Sequence, residues 1–302
     1  MLIWYVLTIF QEAKIIKKTI KYYINEHYKE RKSKLKELNH LADIFENYDT
    51  FVIDLWGVMH NGITLNPKAV DAVDKLKKNS KKIVFLTNAP RPTSKVINFL
   101  LKMKMDKKYL EHVITSGEAA MHAINQKKFG KTFYHLGPAR DISVFEKVKD
   151  NRTDLKSCDF ILCTGLFDDY DNDLDYYKEF LSKHVSKKLI CTNPDLIVHR
   201  GSVEELCAGS VAKVFEDLGG EAVYFGKPHK EVYNMCFNSN EKVLAIGDNL
   251  KTDIKGANNL KIDCIFISEG VHRKEFSNFS ELNKLLEKYN VKANFFQKEL
   301  KW

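Results

Sequence analysis

Long apolar runs are missing from this sequence. No uninterrupted stretch approaches the roughly 20 residues that a membrane-spanning helix needs, which argues against such a helix. A secretory leader is not evident either. Met1 to Phe10 is apolar but lacks a basic n-region and a small-residue cleavage site, so it reads as part of the mature chain. The six cysteines (Cys158, Cys163, Cys191, Cys207, Cys236, Cys264) contain no C-x-x-C pair and no zinc-like grouping. Most sit in apolar stretches, so the expectation is reduced, buried thiols in a cytosolic protein. Nucleic-acid recognition also lacks support, because the lysines beyond the N-terminal arm have neither interleaved aromatics nor a recognisable module.

What is present is an ordinary globular composition, 44% hydrophobic and 29% charged, on 302 residues. That length predicts two compact units, each able to bury a core. The formal net charge of +8 is uneven: residues 1–40 hold nine Lys/Arg against four Glu, and the rest is near balance. Within this arm Ile16, Ile20, Tyr23, Ile24 and Tyr28 recur at helical spacing among Lys17, Lys18, Lys21 and Lys29, a basic amphipathic helix. Packing on its own protein is favoured over contact with an anionic membrane.

From Leu38 onward strands and helices alternate. Phe51-Val52-Ile53 is an apolar run ending in Asp54 and breaking at Gly57, the pattern of a buried strand delivering a carboxylate to its tip. Asn66 and Pro67 suit the N-cap and first position of a helix carrying Ala69, Val70, Val73 and Leu76 on one face. Strand Lys82–Leu86 ends in Thr87-Asn88, a helix begins near Thr93, and Val113-Ile114 ends in Thr115-Ser116. Further strands are expected at 132–136, 159–163 and 188–191, with a helix over 173–184. The acidic loop with Asp168, Asp169, Asp171 and Asp173 lacks the glycine and terminal glutamate of a calcium loop and reads as solvated. Strand Glu221–Phe225 leads to Gly226-Lys227-Pro228, and Val243–Ile246 to Gly247-Asp248-Asn249-Leu250-Lys251-Thr252-Asp253. Repeated β-α units predict a parallel sheet, and open α/β sheets bind ligands at their strand tips. Ser280 is expected to cap a closing helix bearing Leu282, Leu285, Leu286 and Tyr289, before a tail ending in Trp302.

If those tips converge, Asp54, Asp248 and Asp253 cannot all be ionised side by side without offsetting cations. Lys227 and a hard ion with oxygen ligands, Mg²⁺ above all, would supply them. A phosphoryl group held there by Thr87 and Asn88 could be attacked in line by Asp54, giving an aspartyl-phosphate that water then hydrolyses. Positioning and charge neutralisation carry most of such catalysis.

The four ordered segments Asp54-Leu55-Trp56-Gly57-Val58, Leu86-Thr87-Asn88, Gly226-Lys227-Pro228 and Gly247 to Asp253 resemble the motifs of haloacid-dehalogenase-superfamily (HAD) hydrolases. Thirty-three residues separate Asp54 from Thr87 and 140 separate Thr87 from Lys227, so a second domain fits only in the latter interval. That placement resembles the class IIA, NagD-like branch, as does Cys191-Thr192-Asn193-Pro194-Asp195. The resemblance implies an α/β fold, a Rossmann-like core with a parallel sheet plus an inserted α/β C2-type cap. It divides the chain into an arm (1–40), core (41–130 and 207–273), cap (131–206) and a C-terminal helix and tail (274–302). It implies Asp54 as nucleophile and metal ligand, the Trp56 carbonyl and Asp248 as further Mg²⁺ ligands, and Thr87, Asn88 and Lys227 as phosphate-binding residues. Asp253 and Asn249 would support that shell, and Asn193 and Asp195 would face the site from the cap. The partner implied is a small phosphorylated metabolite of the sugar or nucleotide phosphate class, and caps of this type often form homodimers.

One departure matters. Such phosphatases usually carry a second Asp two residues after the nucleophile, where this chain has Trp56. Indole cannot protonate a leaving group, so a general acid–base contribution of roughly 10²–10⁴-fold is lost from that position. Either the leaving group needs no proton, or another residue such as His60 substitutes, or the protein binds a phosphate compound without turning it over. For His60 a plain loop histidine is favoured. Haloacid dehalogenases carry an aromatic residue there too, but they place their cap after the first motif, which the short first interval forbids. Tryptophan in the first motif and the Trp302 ending resemble one subgroup of class IIA.

Overall fold

Thr50–Ile53 (β1), Lys82–Thr87 (β2) and Val113–Thr115 (β3) form the first half of the main sheet, and β1 is buried along its whole length. The computed structural model describes residues 35–302, so the helix expected around Ile16 to Tyr28 lies outside the described residues. Phe133–Leu136 (β4), Phe160–Cys163 (β5) and Lys188–Cys191 (β6) begin a second sheet, followed by the hairpin Ile197–Arg200 (β7) and Val203–Leu206 (β8). Glu221–Tyr224 (β9), Val243–Gly247 (β10), Asp263–Ile267 (β11) and Phe295–Gln297 (β12) complete the set. In the main sheet the six longer strands lie in the order β12-β11-β10-β1-β2-β3, all parallel. The second sheet runs β9-β6-β5-β4, also parallel.

Each element follows from local chemistry. Asn66 accepts hydrogen bonds from the amides of Lys68 and Ala69, Pro67 occupies the first helical position, and Ala69, Ala72, Val73 and Leu76 of helix Pro67–Lys78 are buried. Phe51, Ile53, Phe85, Leu244 and Ile265 join them in one core, each such side chain contributing about 1.5–3 kcal/mol by burial. Tyr177, Leu181, Leu189, Val211 and Phe215 form the core of the second sheet. All six cysteines are free and buried. No described helix is long and apolar enough to cross a membrane.

Three expectations change. Helix Ala208–Asp217 packs in the core of the second sheet and β9 pairs with β6, so residues 207–224 belong with that sheet rather than with the first. Alternation reveals that a strand exists but not which sheet it joins. Asn278, not Ser280, caps helix Phe279–Lys288: its side chain accepts from the Glu281 amide, and Glu281 reaches back to the Ser277 amide. The C-terminal segment is no loose tail either, because β12 extends the main sheet and the Trp302 ring packs on Phe45 at 4.7 Å. A three-residue strand is too short for its periodicity to register.

Candidate active site

The central strands β2, β1 and β10 are neighbours, so their carboxyl ends open side by side, where open parallel sheets bind ligands. Asp54 follows β1 and still belongs to the ladder, its amide donating to Ile246 O at 2.9 Å. Thr87 ends β2, Asn88 follows it, and Asp248 follows β10. Lys227 arrives from the end of β9 in the other sheet, threaded past Gly226, whose φ is +106° and whose Cβ position would lie 2.5 Å from Asn88 Oδ1.

These residues meet. Lys227 Nζ donates to Asp54 Oδ1 at 2.6 Å and to Asp253 Oδ1 at 2.7 Å, with the lysine only 3% exposed. Asp54, Asp248 and Asp253 bring carboxylate oxygens within 4.8 Å of one another, all buried. Asp253 has both oxygens engaged, the second accepting from the Asn249 amide at 3.1 Å. Asp54 and Asp248 each make one side-chain hydrogen bond, Asp248 Oδ2 accepting from the Val271 amide at 2.8 Å. Their other oxygens have no hydrogen-bond partner among the described residues. Asp248 is wedged between glycines: a Cβ on Gly57, at φ +82°, would fall 2.0 Å from its Oδ2, and one on Gly270 would fall 2.1 Å away.

Charge in this cluster is unbalanced. Burial and then the neighbouring Asp253 hold the Asp54 carboxyl well above the usual range, against the lowering pull of Lys227. Burial and Asp253 likewise push Asp248 up to about 8. Burial alone would lower the Lys227 ammonium, but Asp253 and Asp54 outweigh it and hold it well above its ordinary value. One ammonium thus faces three carboxyl groups, and this excess of hard oxygen donors is the donor set a divalent cation such as Mg²⁺ would satisfy.

The second sheet contributes from above. Asp195 Oδ1 accepts from Asn88 Nδ2 at 3.2 Å and from Asn249 Nδ2 at 3.3 Å, tying its loop to the asparagines that follow β2 and Asp248. Burial raises its carboxyl to about 6. Asn193 acts one step back, its Oδ1 accepting from the Asp195 amide at 3.1 Å and shaping the turn. Thr87 Oγ1 accepts from the Ala89 amide at 3.3 Å, and Asn88 Oδ1 accepts from the Lys227 amide at 2.8 Å.

Trp56 turns its indole away from proton chemistry. Its Nε1 donates to His199 O on the hairpin at 2.9 Å, the Arg200 guanidinium lies over the ring at 5.1 Å, and the Gly201 amide donates to Asn61 O at 3.0 Å. The loop after β1 is therefore a docking surface for the hairpin. His60 is buried behind it, edge-on to Trp56 and to Phe99, its Nδ1 accepting from the Gly62 amide at 3.0 Å. Burial and then Arg200 lower it to about 4, so the ring is neutral and structural and is no replacement proton donor. The acidic loop is also structural, with Asp168 paired to Arg140 and Asp173 capping helix Leu174–Leu181.

Sequence reasoning missed the hairpin's part in the site. The alternating Ile197 to Arg200, a Gly201-Ser202 turn and Val203 to Leu206 carry a hairpin signal, but nothing local says where it docks. His199 and Arg200 owe their placement to the tertiary fold.

A haloacid dehalogenase-like hydrolase model matches residues 51–149, and a HAD-hydrolase-like model matches 224–291. An acid sugar phosphatase of Staphylococcus haemolyticus is 26% identical, covering 75% of this chain and 87% of that protein. The ribonucleotide monophosphatase NagD of Escherichia coli is 24% identical, covering 73% and 87%. A crystal structure of a haloacid dehalogenase-like hydrolase from Brucella suis superposes with a TM-score of 0.77 at 28% identity, covering 88% of this chain and all of that one.

Proposed function

Because this chain belongs to the haloacid dehalogenase-like hydrolases, in their NagD-like branch, we propose that it is a Mg²⁺-dependent phosphatase of small sugar or nucleotide phosphates working through an aspartyl-phosphate. The observation that carries this reading is the double ion pair of Lys227 with Asp54 and Asp253 beside Asp248. We place it in the subgroup with tryptophan in the first motif, on Trp56.

In this mechanism Asp54 attacks phosphorus in line with the leaving oxygen, forming an acyl phosphate as the old P–O bond breaks and its electron pair leaves with the alcohol. Lys227 holds Asp54 Oδ1 in place and offsets charge, while Thr87 and Asn88 bind the phosphoryl oxygens. Asp54, the Trp56 carbonyl and Asp248 would hold the metal, with Asp253 and Asn249 fixing that shell. Bound Mg²⁺ would supply positive charge against the phosphoryl oxygens. Water then attacks phosphorus, the Asp54 O–P bond breaks with its electron pair returning to the carboxylate, and inorganic phosphate leaves with the water's oxygen and protons. The Trp56 indole is committed to the hairpin, so the departing oxygen receives no proton from it, and substrates with poor leaving groups turn over slowly.

Metal dependence has a pH signature. Asp248 holds its proton up to about pH 8 in the metal-free protein, whereas it ionises near 3.9 when unfolded. Stability from this group is thus fully present below about pH 4 and is lost as pH rises through about 8. Because Mg²⁺ needs the carboxylate, its affinity rises over the same window with proton release. Thermal stabilisation by Mg²⁺ is expected to grow from about pH 5 to about pH 8, and chelation is expected to slow p-nitrophenyl phosphate turnover by about 100-fold or more. Stabilisation independent of pH together with chelator-resistant turnover would contradict the assignment.

A further inference from the structure

From Thr87, Asn88 and Asp195 a cavity of about 540 Å³ extends between the two sheets, beyond the carboxylate cluster. That volume suits a small metabolite. Its wall on the second sheet's side carries Asp141, whose side chain is 4% exposed. Asp141 Oδ1 is buried with no hydrogen-bond partner among the described residues. Arg91 Nε stands 3.5 Å from that oxygen, an ionic contact without hydrogen-bond geometry, and the guanidinium itself is 45% exposed at the cavity's edge. Burial raises the Asp141 carboxyl even though Arg91 pulls it down. A buried, unsatisfied acceptor is costly, and a ligand that completes it gives a native protein a reason to retain one.

The chemistry of this wall selects the ligand. Asp141 offers an acceptor and Arg91 beside it offers donors, a pair that two adjacent hydroxyls can satisfy together: one donates to the carboxylate while its neighbour accepts from the guanidinium. Thr164, also in the wall, has its hydroxyl engaged with His135 Nε2 at 2.9 Å. We propose that this cavity seats the hydroxyl-bearing part of a phosphorylated sugar or polyol, with Asp141 and Arg91 reading a vicinal diol while the phosphoryl group lies at Thr87 and Asn88. This inference rests on the phosphatase reading for the placement of the phosphoryl end.

Turnover of a panel of pentose, hexose and polyol phosphates, nucleoside monophosphates and p-nitrophenyl phosphate tests it. The wild-type protein is expected to prefer a sugar or polyol phosphate. Asp141→Asn is expected to lower the ratio of kcat/KM for that substrate to kcat/KM for the aryl phosphate by about 10-fold, mostly through KM, the size of a lost hydrogen bond to a charged group. Arg91→Met, at a side chain 45% exposed, is expected to shift the ratio the same way. Calorimetric binding of the preferred sugar phosphate to Asp54→Asn, with and without Asp141→Asn, separates the two readings. Binding that weakens about 10-fold with Asp141→Asn while the wild-type protein hydrolyses none of the panel sinks the phosphatase reading and upholds the cavity assignment. An unchanged ratio, equal binding to both proteins, or a preference for nucleoside monophosphates indifferent to Asp141 overturns it.

Discussion

Asp54→Asn is expected to reduce turnover of an activated aryl phosphate by about 10⁴-fold or more while leaving the fold as stable as before or more so. The amide is isosteric and its oxygen still accepts from Lys227, but it has no anionic oxygen with which to attack phosphorus. Stability moves the other way because burial and the neighbouring Asp253 make the ionised form of Asp54 the costly one, against the pull of Lys227. Removing that charge relieves the cluster. The split between lost activity and retained stability distinguishes a nucleophile from a structural acid, and steady-state rates beside urea unfolding measure both. A variant that unfolds, or one that keeps a tenth of the wild-type rate, contradicts the role.

Lys227→Met is expected to do the opposite to stability. The ammonium joins two buried carboxylates at 2.6 and 2.7 Å, and removing one partner from such a pair leaves uncompensated charge that costs about 3–5 kcal/mol. Turnover is expected to fall by about 10³-fold, because the nucleophile loses its positioning and the phosphoryl group loses a counter-charge. The lysine's raised pKa means that its contribution is fully present below its unfolded value near 10.4 and is lost only at higher pH, so it acts throughout the neutral range. The loss should shrink as pH falls and Asp54, whose carboxyl burial and Asp253 raise, takes up its proton. Urea unfolding at neutral and mildly acidic pH reads this directly, and a change under about 1 kcal/mol at neutral pH would mean that the three groups do not form one buried network.

The strand tips were legible because each combines an apolar run with an abrupt polar end: Val52-Ile53 before Asp54, Phe85-Leu86 before Thr87, Ala245-Ile246 before Asp248. Their order and spacing carried the fold class and the place of the insertion. Local pattern could not assign Glu221–Tyr224 to the second sheet, since partner choice depends on the helix packed beneath it. Nor could it reveal what Trp56 does. The missing acid was visible, but the indole's hydrogen bond to His199 O joins residues 143 apart in sequence. Asp141 follows an arginine after Gly137-Pro138 and carries no local signal of burial, yet the fold leaves it only 3% exposed.

Trapping the covalent intermediate tests the central claim most directly. Mg²⁺-loaded protein mixed with excess aryl phosphate, quenched in acid within one turnover and digested, should carry one added phosphoryl group on the peptide containing Asp54, and none in Asp54→Asn. Turnover without any labelled peptide, or a phosphoryl group on a different residue, would contradict the account.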